Sequence, residues 1–269
     1  MKHNTLTILA LMLATSLTAD AALNMALRLD ATQFTSAGAI STWEDSSGKN
    51  GVGNGYDATA SGASQPSVNL TGQNSLPTVE FDGSDDFMSI GHTFTAGTVF
   101  VVANYNTATF GSFDGLFGGD ANITDQIYFT GAGGSSGWFG TSQLNSRYDN
   151  GSGPTSTIST LDQWNLFSGT DSSPQSLDNW LIGTDRGIGG RNWDGGIAEI
   201  IVYEEVLSEF DRQGVEVYLN EKWGLPTALG YADGTYNTDL RALQIVPEPS
   251  STALLGLGGL ALMLRRKRS

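Results

Sequence analysis

The stretch GGIAEIIVYEEVLSEFDRQGVEVYLNEKWGL, residues 195–225, decides the fold of this chain. Its first part, residues 197–203, is an apolar and β-branched run that is typical of a buried strand. Ser208 then stands three residues before Asp211, a capping-box spacing with Asp in place of Glu, and the following residues lack proline. We therefore predict one sizeable helix over residues 208–222, directly after a core strand. Its outer face is predicted to carry Glu209, Arg212, Glu216 and Glu221.

The rest of the body is rich in Gly, Ser, Thr, Asn and Asp, and its aromatic and β-branched residues are gathered into short runs. Such a pattern predicts many strands joined by turns. The clearest further runs are residues 78–81, 98–103, 127–130, 163–167 and 179–182. The predicted fold class is all-β, a two-sheet antiparallel sandwich or jelly roll with one C-terminal helix.

Two further blocks accompany the first stretch: STWEDSSGKNGVGNGYDAT, residues 41–59, and LPTVEFDGSDDFMSI, residues 76–90. In this order the three blocks resemble the LamG-like, concanavalin A-like jelly-roll domains common in bacterial surface proteins. The resemblance spans roughly residues 23–225. It implies two packed antiparallel sheets, and relatives of that fold bind carbohydrate or protein ligands, sometimes through calcium, while some are glycosidases. A fold alone does not decide among these functions.

The C-terminal stretch VPEPSSTALLGLGGLALMLRRKRS, residues 246–269, has three parts: a turn made by Pro247, Glu248 and Pro249, an apolar run over residues 251–264, and a basic end. The apolar run forms roughly 21 Å of helix against about 30 Å of hydrocarbon, so it is short for a permanent anchor. The arrangement resembles the PEP-CTERM sorting signal. That resemblance implies transient membrane insertion, recognition by an exosortase, removal of the tail, and delivery to the surface or exopolysaccharide matrix of a Gram-negative bacterium. An ordinary short C-terminal anchor is the alternative.

The N-terminal end predicts export as well. A weakly basic start precedes a short apolar core over residues 6–17, and Ala19 and Ala21 are small residues at the positions that a signal peptidase reads. We expect residues 1–21 to be a signal peptide cleaved after Ala21. A retained membrane helix is the alternative, although the apolar run is short for one.

Between these ends we expect one domain over residues 22–226 and a polar spacer over residues 227–245. All but two of the 28 acidic residues lie between Ala22 and Val246, whereas five of the 13 basic residues lie outside it, so this part carries a formal charge of −18. Such a charge disfavours nucleic acid and anionic lipid as partners and attracts divalent cations. The absence of cysteine excludes disulfides and thiolate chemistry. His92 is the sole histidine after export, which makes a Ser-His-Asp triad or a His-rich zinc site hard to assemble.

The acidic cluster in FDGSDDF is the candidate metal site. Asp82, Asp85 and Asp86 stand around a Gly-Ser turn, and calcium prefers oxygen ligands of this kind. The alternative is a turn whose carboxylates cap backbone amides and face solvent.

Aromatic residues outside the strand cores are the candidate sugar contacts, because their rings can stack on pyranose faces. The candidates are Trp193 with its neighbours Arg191, Asn192 and Asp194, and also Trp138 and Tyr148. For Trp193 the alternative is a lid on the sandwich.

The chain lacks the Glu-x-Asp-x-(x)-Glu strand pattern of retaining glucanases, and Glu199 stands alone on its strand face. We therefore expect no enzyme but an exported, surface-sorted binding module whose ligand is polysaccharide. A structural or adhesion protein of the matrix that contacts other proteins is the alternative. A hydrolase with paired carboxylates from different strands stays a third possibility.

Overall fold

The structure is a computed structural model that describes residues 23–49, 55–120, 126–139, 143–174 and 176–245. Within them the chain forms antiparallel strands, three short 3-10 helices and one α-helix. The strands are β1 (Met25–Asp30), β2 (Gly38–Ala39), β3 (Thr42–Trp43), β4 (Ala58–Thr59), β5 (Ser67–Asn69), β6 (Thr78–Asp82), β7 (Met88–Ile90), β8 (Phe94–Thr95), β9 (Thr98–Ala103), β10 (Gly115–Gly119), β11 (Ile127–Gly131), β12 (Trp138–Phe139), β13 (Ser146–Asp149), β14 (Asn165–Thr170), β15 (Ser176–Leu177), β16 (Trp180–Ile182) and β17 (Asp194–Tyr203). The helix is α1 (Glu209–Trp223), and the 3-10 helices are Ala31–Gln33, Gly62–Ser64 and Gln73–Ser75.

The strands form two large sheets. The first has the order β13-β14-β9-β17-β6-β5-β2, and β1 also pairs with β17. The second has the order β12-β11-β10-β16-β7-β4-β3, while β8 and β15 form a separate pair. Every run predicted from the sequence corresponds to a strand, namely β6, β9, β11, β14, β16 and β17.

The two sheets share one hydrophobic core. A close approach between them occurs where Gly183, just after β16, meets Phe81 of β6. A Cβ at Gly183 would lie 2.4 Å from the Phe81 ring, and its φ of +82° also favours glycine. Glycine, which has no side chain, therefore stands where the end of β16 touches a core aromatic ring.

The helix covers the outer face of the first sheet, against β9 and β14. The Ser208 hydroxyl accepts the backbone N–H of Asp211 at 3.2 Å, which satisfies one free donor of the first turn. Gly224 ends the helix in the left-handed conformation with φ 55°. The predicted helix is confirmed to within one residue at each end. Its predicted outer face is wrong in part, because Arg212 and Glu216 are buried.

The predicted polar spacer over residues 227–245 is corrected, because the end of this segment packs on the body. Leu243 is 0% and Ile245 is 2% exposed. The hydroxyl of Tyr203, at the end of β17, donates to the Leu243 carbonyl oxygen at 2.5 Å. The apolar side chains of this segment, among them Leu240, are scattered among polar residues, so composition alone did not predict the docking.

Within the described residues, no helix combines the length and the apolarity that crossing a membrane requires. The predicted signal peptide with Ala19 and Ala21, the apolar run 251–264 and the motif residues Pro247, Glu248 and Pro249 lie outside the described residues.

Candidate functional site

Trp193, predicted to stack on a sugar ring, lies inside the domain. It directly precedes β17, and its side chain is 0% exposed. Its indole N–H donates to the carbonyl oxygen of Asn104 at 3.1 Å, and its ring meets that of Tyr105 edge-on with centroids 5.1 Å apart. A sugar cannot reach a fully buried ring. The ligand role predicted for Trp193 is therefore corrected, and the residue acts as a lid on the core.

Arg191 is engaged within the loop between β16 and β17. Its guanidinium donates to the Asp185 carboxylate at 2.8 Å and lies over the ring of Phe113, 4.8 Å from the centroid. Asp185 also accepts two bonds from Arg186, at 2.8 and 3.0 Å. The two arginines thus fold the loop around one buried carboxylate, which leaves Arg191 little freedom to contact a ligand.

Asn192 and Asp194 tie the same loop to neighbouring turns. The Asn192 side chain donates to the Ser84 carbonyl oxygen in the acidic turn. Asp194 accepts from the Asn106 side chain at 2.6 Å. Gly83 packs so closely that a Cβ there would lie 2.6 Å from Cβ of Asp194. These predicted ligand residues hold the acidic turn in place.

Tyr148 lies on the side of the first sheet that faces the helix. The guanidinium of Arg212 stands over its ring, 3.7 Å from the centroid, so the ring face is already covered. The backbone of Trp138 pairs with Gly131 in β12 and β11, while its side chain lies outside the described part of the chain. Neither residue is brought next to Trp193 by a described contact.

Asp82, Asp85 and Asp86 form one cluster in the turn between β6 and β7. One carboxylate oxygen from each residue lies within 4.8 Å of the others. Asp82 accepts the backbone N–H of Ser84 at 2.8 Å, and Asp86 accepts the backbone N–H of Asp82 at 3.0 Å. Both bonds are those of a turn capped by its own side chains.

Asp86 is the buried member of this cluster, with 7% exposure. Its pKa is raised to about 6, mainly by burial and also by the charges of Asp82 and Asp85, although the bond from the Asp82 N–H lowers it. Calcium takes about six to eight oxygen ligands. The three carboxylates suit calcium chemically and supply part of such a shell.

A hollow of about 300 Å³ lies on the outer face of the second sheet. Part of its lining comes from the residues that directly follow the acidic turn in the chain. It is lined by Thr59, Ala60, Ser61, Ser64, Phe87 and Ser89. Thr59 pairs with Ser89 across β4 and β7. Met88 and Ile90 are fully buried, and alternation therefore turns Phe87 and Ser89 outward.

Sequence reasoning missed this hollow. The alternation Phe87-Met88-Ser89-Ile90 could have shown it, since a half-buried phenylalanine there shares its strand face with Ser89. The pairing of β4 with β7 supplies Thr59 from a distant part of the chain, and no local pattern predicts that register.

Glu199, in the middle of β17, is fully buried, and cations balance its charge. One carboxylate oxygen accepts from Arg28 at 3.0 Å, and the other accepts from Lys222 at 2.6 Å and from the Trp223 indole at 2.9 Å. Both oxygens are therefore engaged in joining the first sheet to the helix. Glu199 has no access to a substrate.

Comparison with protein families matches residues 246–268 to the PEP-CTERM protein-sorting motif. Comparison with the curated proteins and with the solved structures gives no match. Motifs of this kind are recognised by exosortase and imply export and sorting to the cell surface in Gram-negative bacteria. The chain is thus an exported protein that carries a PEP-CTERM sorting motif behind a mostly β body.

Proposed function

We propose that this protein is a non-catalytic binding module that holds polysaccharide at the cell envelope or in the exopolysaccharide matrix. Its body is the LamG-like, concanavalin A-like jelly roll predicted above, and two antiparallel sheets around one core are compatible with that fold. The observation that carries the polysaccharide assignment is the hollow around Phe87.

The hollow offers the two kinds of surface that a sugar contacts. Phe87 is partly buried and lines the hollow, so its ring provides an apolar face for the C–H side of a pyranose. The hydroxyls of Thr59, Ser61, Ser64 and Ser89 can donate and accept hydrogen bonds with sugar hydroxyls. A hollow at the surface of a sheet suits a polymer that passes over it.

Charge selects among polysaccharides. The chain carries a net charge of −15, and the acidic turn ends directly before Phe87. Such a surface repels uronate or sulfate groups. We therefore assign a neutral polysaccharide as the ligand. An anionic polysaccharide would bind only with calcium on the acidic turn, because the cation would offset the repulsion.

The carboxylates support a non-catalytic role. A retaining glycosidase places two carboxyl groups about 5 Å apart around the sugar. The described residues that line the hollow include no carboxylate. Glu199, the acidic residue of the core strand, is buried in ion pairs with Arg28 and Lys222.

The experiment is a screen of the exported chain against immobilised neutral and anionic polysaccharides, with and without calcium. Binding to a neutral glycan class in both conditions is the expected result. Binding to no glycan in either condition would contradict the proposal and favour the structural alternative, in which the protein contacts other matrix proteins.

One observation favours that alternative. Val206, shortly before the helix, and Phe210, in its first turn, are 45% and 47% exposed, and they are apolar side chains of the size that protein contacts use. Replacing both with serine would weaken attachment to the matrix if this surface carries the function, and would leave glycan binding unchanged.

A further inference from the structure

The segment that precedes the sorting motif is docked along the helix and β1. Asn237 donates its backbone N–H to the Phe210 carbonyl oxygen at 2.9 Å, and its side chain donates to Asp211 at 2.7 Å. Further on, the Gln244 side chain accepts the backbone N–H of Met25 at 2.9 Å. Both ends of the segment therefore have specific partners in the body.

A second attachment lies at Tyr231. Its hydroxyl lies within hydrogen-bonding distance of two acceptors, the Gly151 carbonyl oxygen at 3.2 Å and the buried carboxylate of Glu216. A Cβ at Gly151 would lie 2.4 Å from the Tyr231 hydroxyl, so the β13–β14 turn is shaped to receive this ring. Glu216 is in turn held by Arg212 at 2.5 Å.

Gly214 shows that the helix itself is shaped for the docked segment. Glycine is unfavourable inside a helix, yet Gly214 stands in the middle of α1. A Cβ at this position would lie 2.3 Å from the Asn237 carbonyl oxygen and 3.0 Å from Leu243 Cδ1. The glycine is needed for contact with the segment.

The docked backbone is already hydrogen-bonded up to the start of the motif. The Leu243 carbonyl oxygen accepts from Tyr203 at 2.5 Å. The Ile245 N–H donates to Leu240 at 2.9 Å, and the Ile245 carbonyl oxygen accepts from Arg28 at 2.5 Å. The sorting motif begins at residue 246, directly after this last docked residue.

One common way to recognise a peptide is to bind it as an extended chain through its backbone groups. In the docked state the groups just before the motif are bonded to the body and the side chains of Leu243 and Ile245 are buried. We propose that the body holds its own sorting motif back from exosortase, which engages the motif only when residues 237–245 detach. This inference concerns the sorting tail and does not depend on the polysaccharide proposal.

The test follows tail removal by pulse-chase on the full chain in a Gram-negative host that makes exosortase. Gly214→Ala favours the helix but displaces the docked segment, and it is expected to speed processing about fivefold, the change for one lost hydrogen bond. Gly189→Ala is the matched control, because a Cβ there meets nothing within 4 Å. Its processing rate is expected to equal that of the wild type.

A second variant bypasses the docking. About ten Gly/Ser residues inserted between Ile245 and Val246 add roughly 18 Å of flexible reach. They are expected to speed processing and to abolish the effect of Gly214→Ala. The same insertion between Gly189 and Gly190 is the control and is expected to change nothing.

The inference is overturned if the insertion before Val246 leaves the rate unchanged, since the motif would then be reachable from the docked state. It is also overturned if the insertion speeds processing and Gly214→Ala alone does not. The delay would then come from the short distance between body and motif and not from the docking of residues 237–245. Absence of cleavage in the wild type and in every variant contradicts it as well, because there would be no processing step for the docking to slow.

Discussion

The ammonium of Lys222, in the last turn of the helix, lies 2.6 Å from the carboxylate of Glu199 in the middle of β17. Lys222 also contacts Asp30 at 2.6 Å, and Glu199 contacts Arg28 at 3.0 Å. Burial lowers the pKa of Lys222, but the charges of Glu199 and Asp30 raise it by more, so it stays above its usual value. Helix and sheet are thus joined by a network of two cations and two anions.

Replacing Glu199 with glutamine is expected to lower the free energy of unfolding by about 3 kcal/mol, because two partly buried cations lose one of their two anions. Urea unfolding measures this change. The control is Glu221→Gln on the exposed side of the same helix, which is expected to change stability by less than about 0.5 kcal/mol. Equal stability of Glu199→Gln and wild type would show that the network does not hold the helix.

Asp86 gives a pH dependence of defined sign. Its pKa is about 6 in the folded protein because of burial, whereas an unfolded aspartate titrates near about 4. Between these values the folded state binds more protons than the unfolded state, so this group makes stability fall as pH rises from about 4 to 6. Asp86→Asn keeps an acceptor for the Asp82 N–H and is expected to stabilise the protein by about 1 to 3 kcal/mol at pH 7. Unchanged stability at pH 7 would contradict the raised pKa.

Calcium distinguishes the two interpretations of the same turn. A cation held by Asp82, Asp85 and Asp86 favours their charged forms, so calcium at pH 7 is expected to raise the melting temperature of the wild type but not of Asp85→Asn with Asp82→Asn. Thermal unfolding with and without calcium measures this difference. An identical melting temperature in both conditions would contradict calcium binding and favour the self-capped turn.

Trp193→Ala is expected to cost about 3 to 5 kcal/mol of stability, because it opens a cavity in the core and leaves the Asn104 carbonyl without its donor. Trp193→Phe keeps most of the volume and is expected to cost less. Thermal unfolding of both variants measures the difference. A Trp193→Ala protein as stable as wild type but unable to bind glycan would restore this residue as a ligand contact.

The sorting motif gives a prediction of its own. Replacing Pro247 and Glu248 with alanine is expected to leave the chain uncut in the membrane fraction, since the motif that exosortase recognises is gone. Replacing Ser250 and Ser251 with alanine is the control, since both lie within the matched stretch but outside the Pro-Glu-Pro turn. Comparison of precursor and processed bands measures the outcome, and normal processing of the Pro247, Glu248 variant would contradict the sorting assignment.

Local patterns in the sequence predicted the helix and the strands β6, β9, β11, β14, β16 and β17, but not the other described strands. The Ser208 cap, the proline-free run and the adjoining apolar strand each depend on neighbouring residues, and the structure shows the helix within one residue of its predicted ends. The sorting motif is also local, and a family match confirms it over residues 246–268.

Features that depend on distant contacts could not be read in this way. Trp193 stands in a Gly-rich stretch, a pattern typical of an exposed loop. In the structure it packs against Asn104 and Tyr105, which directly follow β9. The docking of residues 237–245 is indicated in the sequence by Gly214, a glycine inside a helix. The reason for this glycine becomes clear only from the structure, in which Asn237 packs directly against it.

The affinity of Phe87→Leu for the polysaccharide found in the screen tests the binding assignment most directly, because leucine keeps apolar bulk but removes the aromatic face. Thr157→Ala is the control, since Thr157 lines another hydroxyl-bearing hollow whose described lining residues carry no aromatic ring. We predict that Phe87→Leu weakens binding about fivefold and Thr157→Ala does not, with both proteins folded. Equal affinity of wild type and Phe87→Leu would contradict the assignment of this hollow as the polysaccharide site.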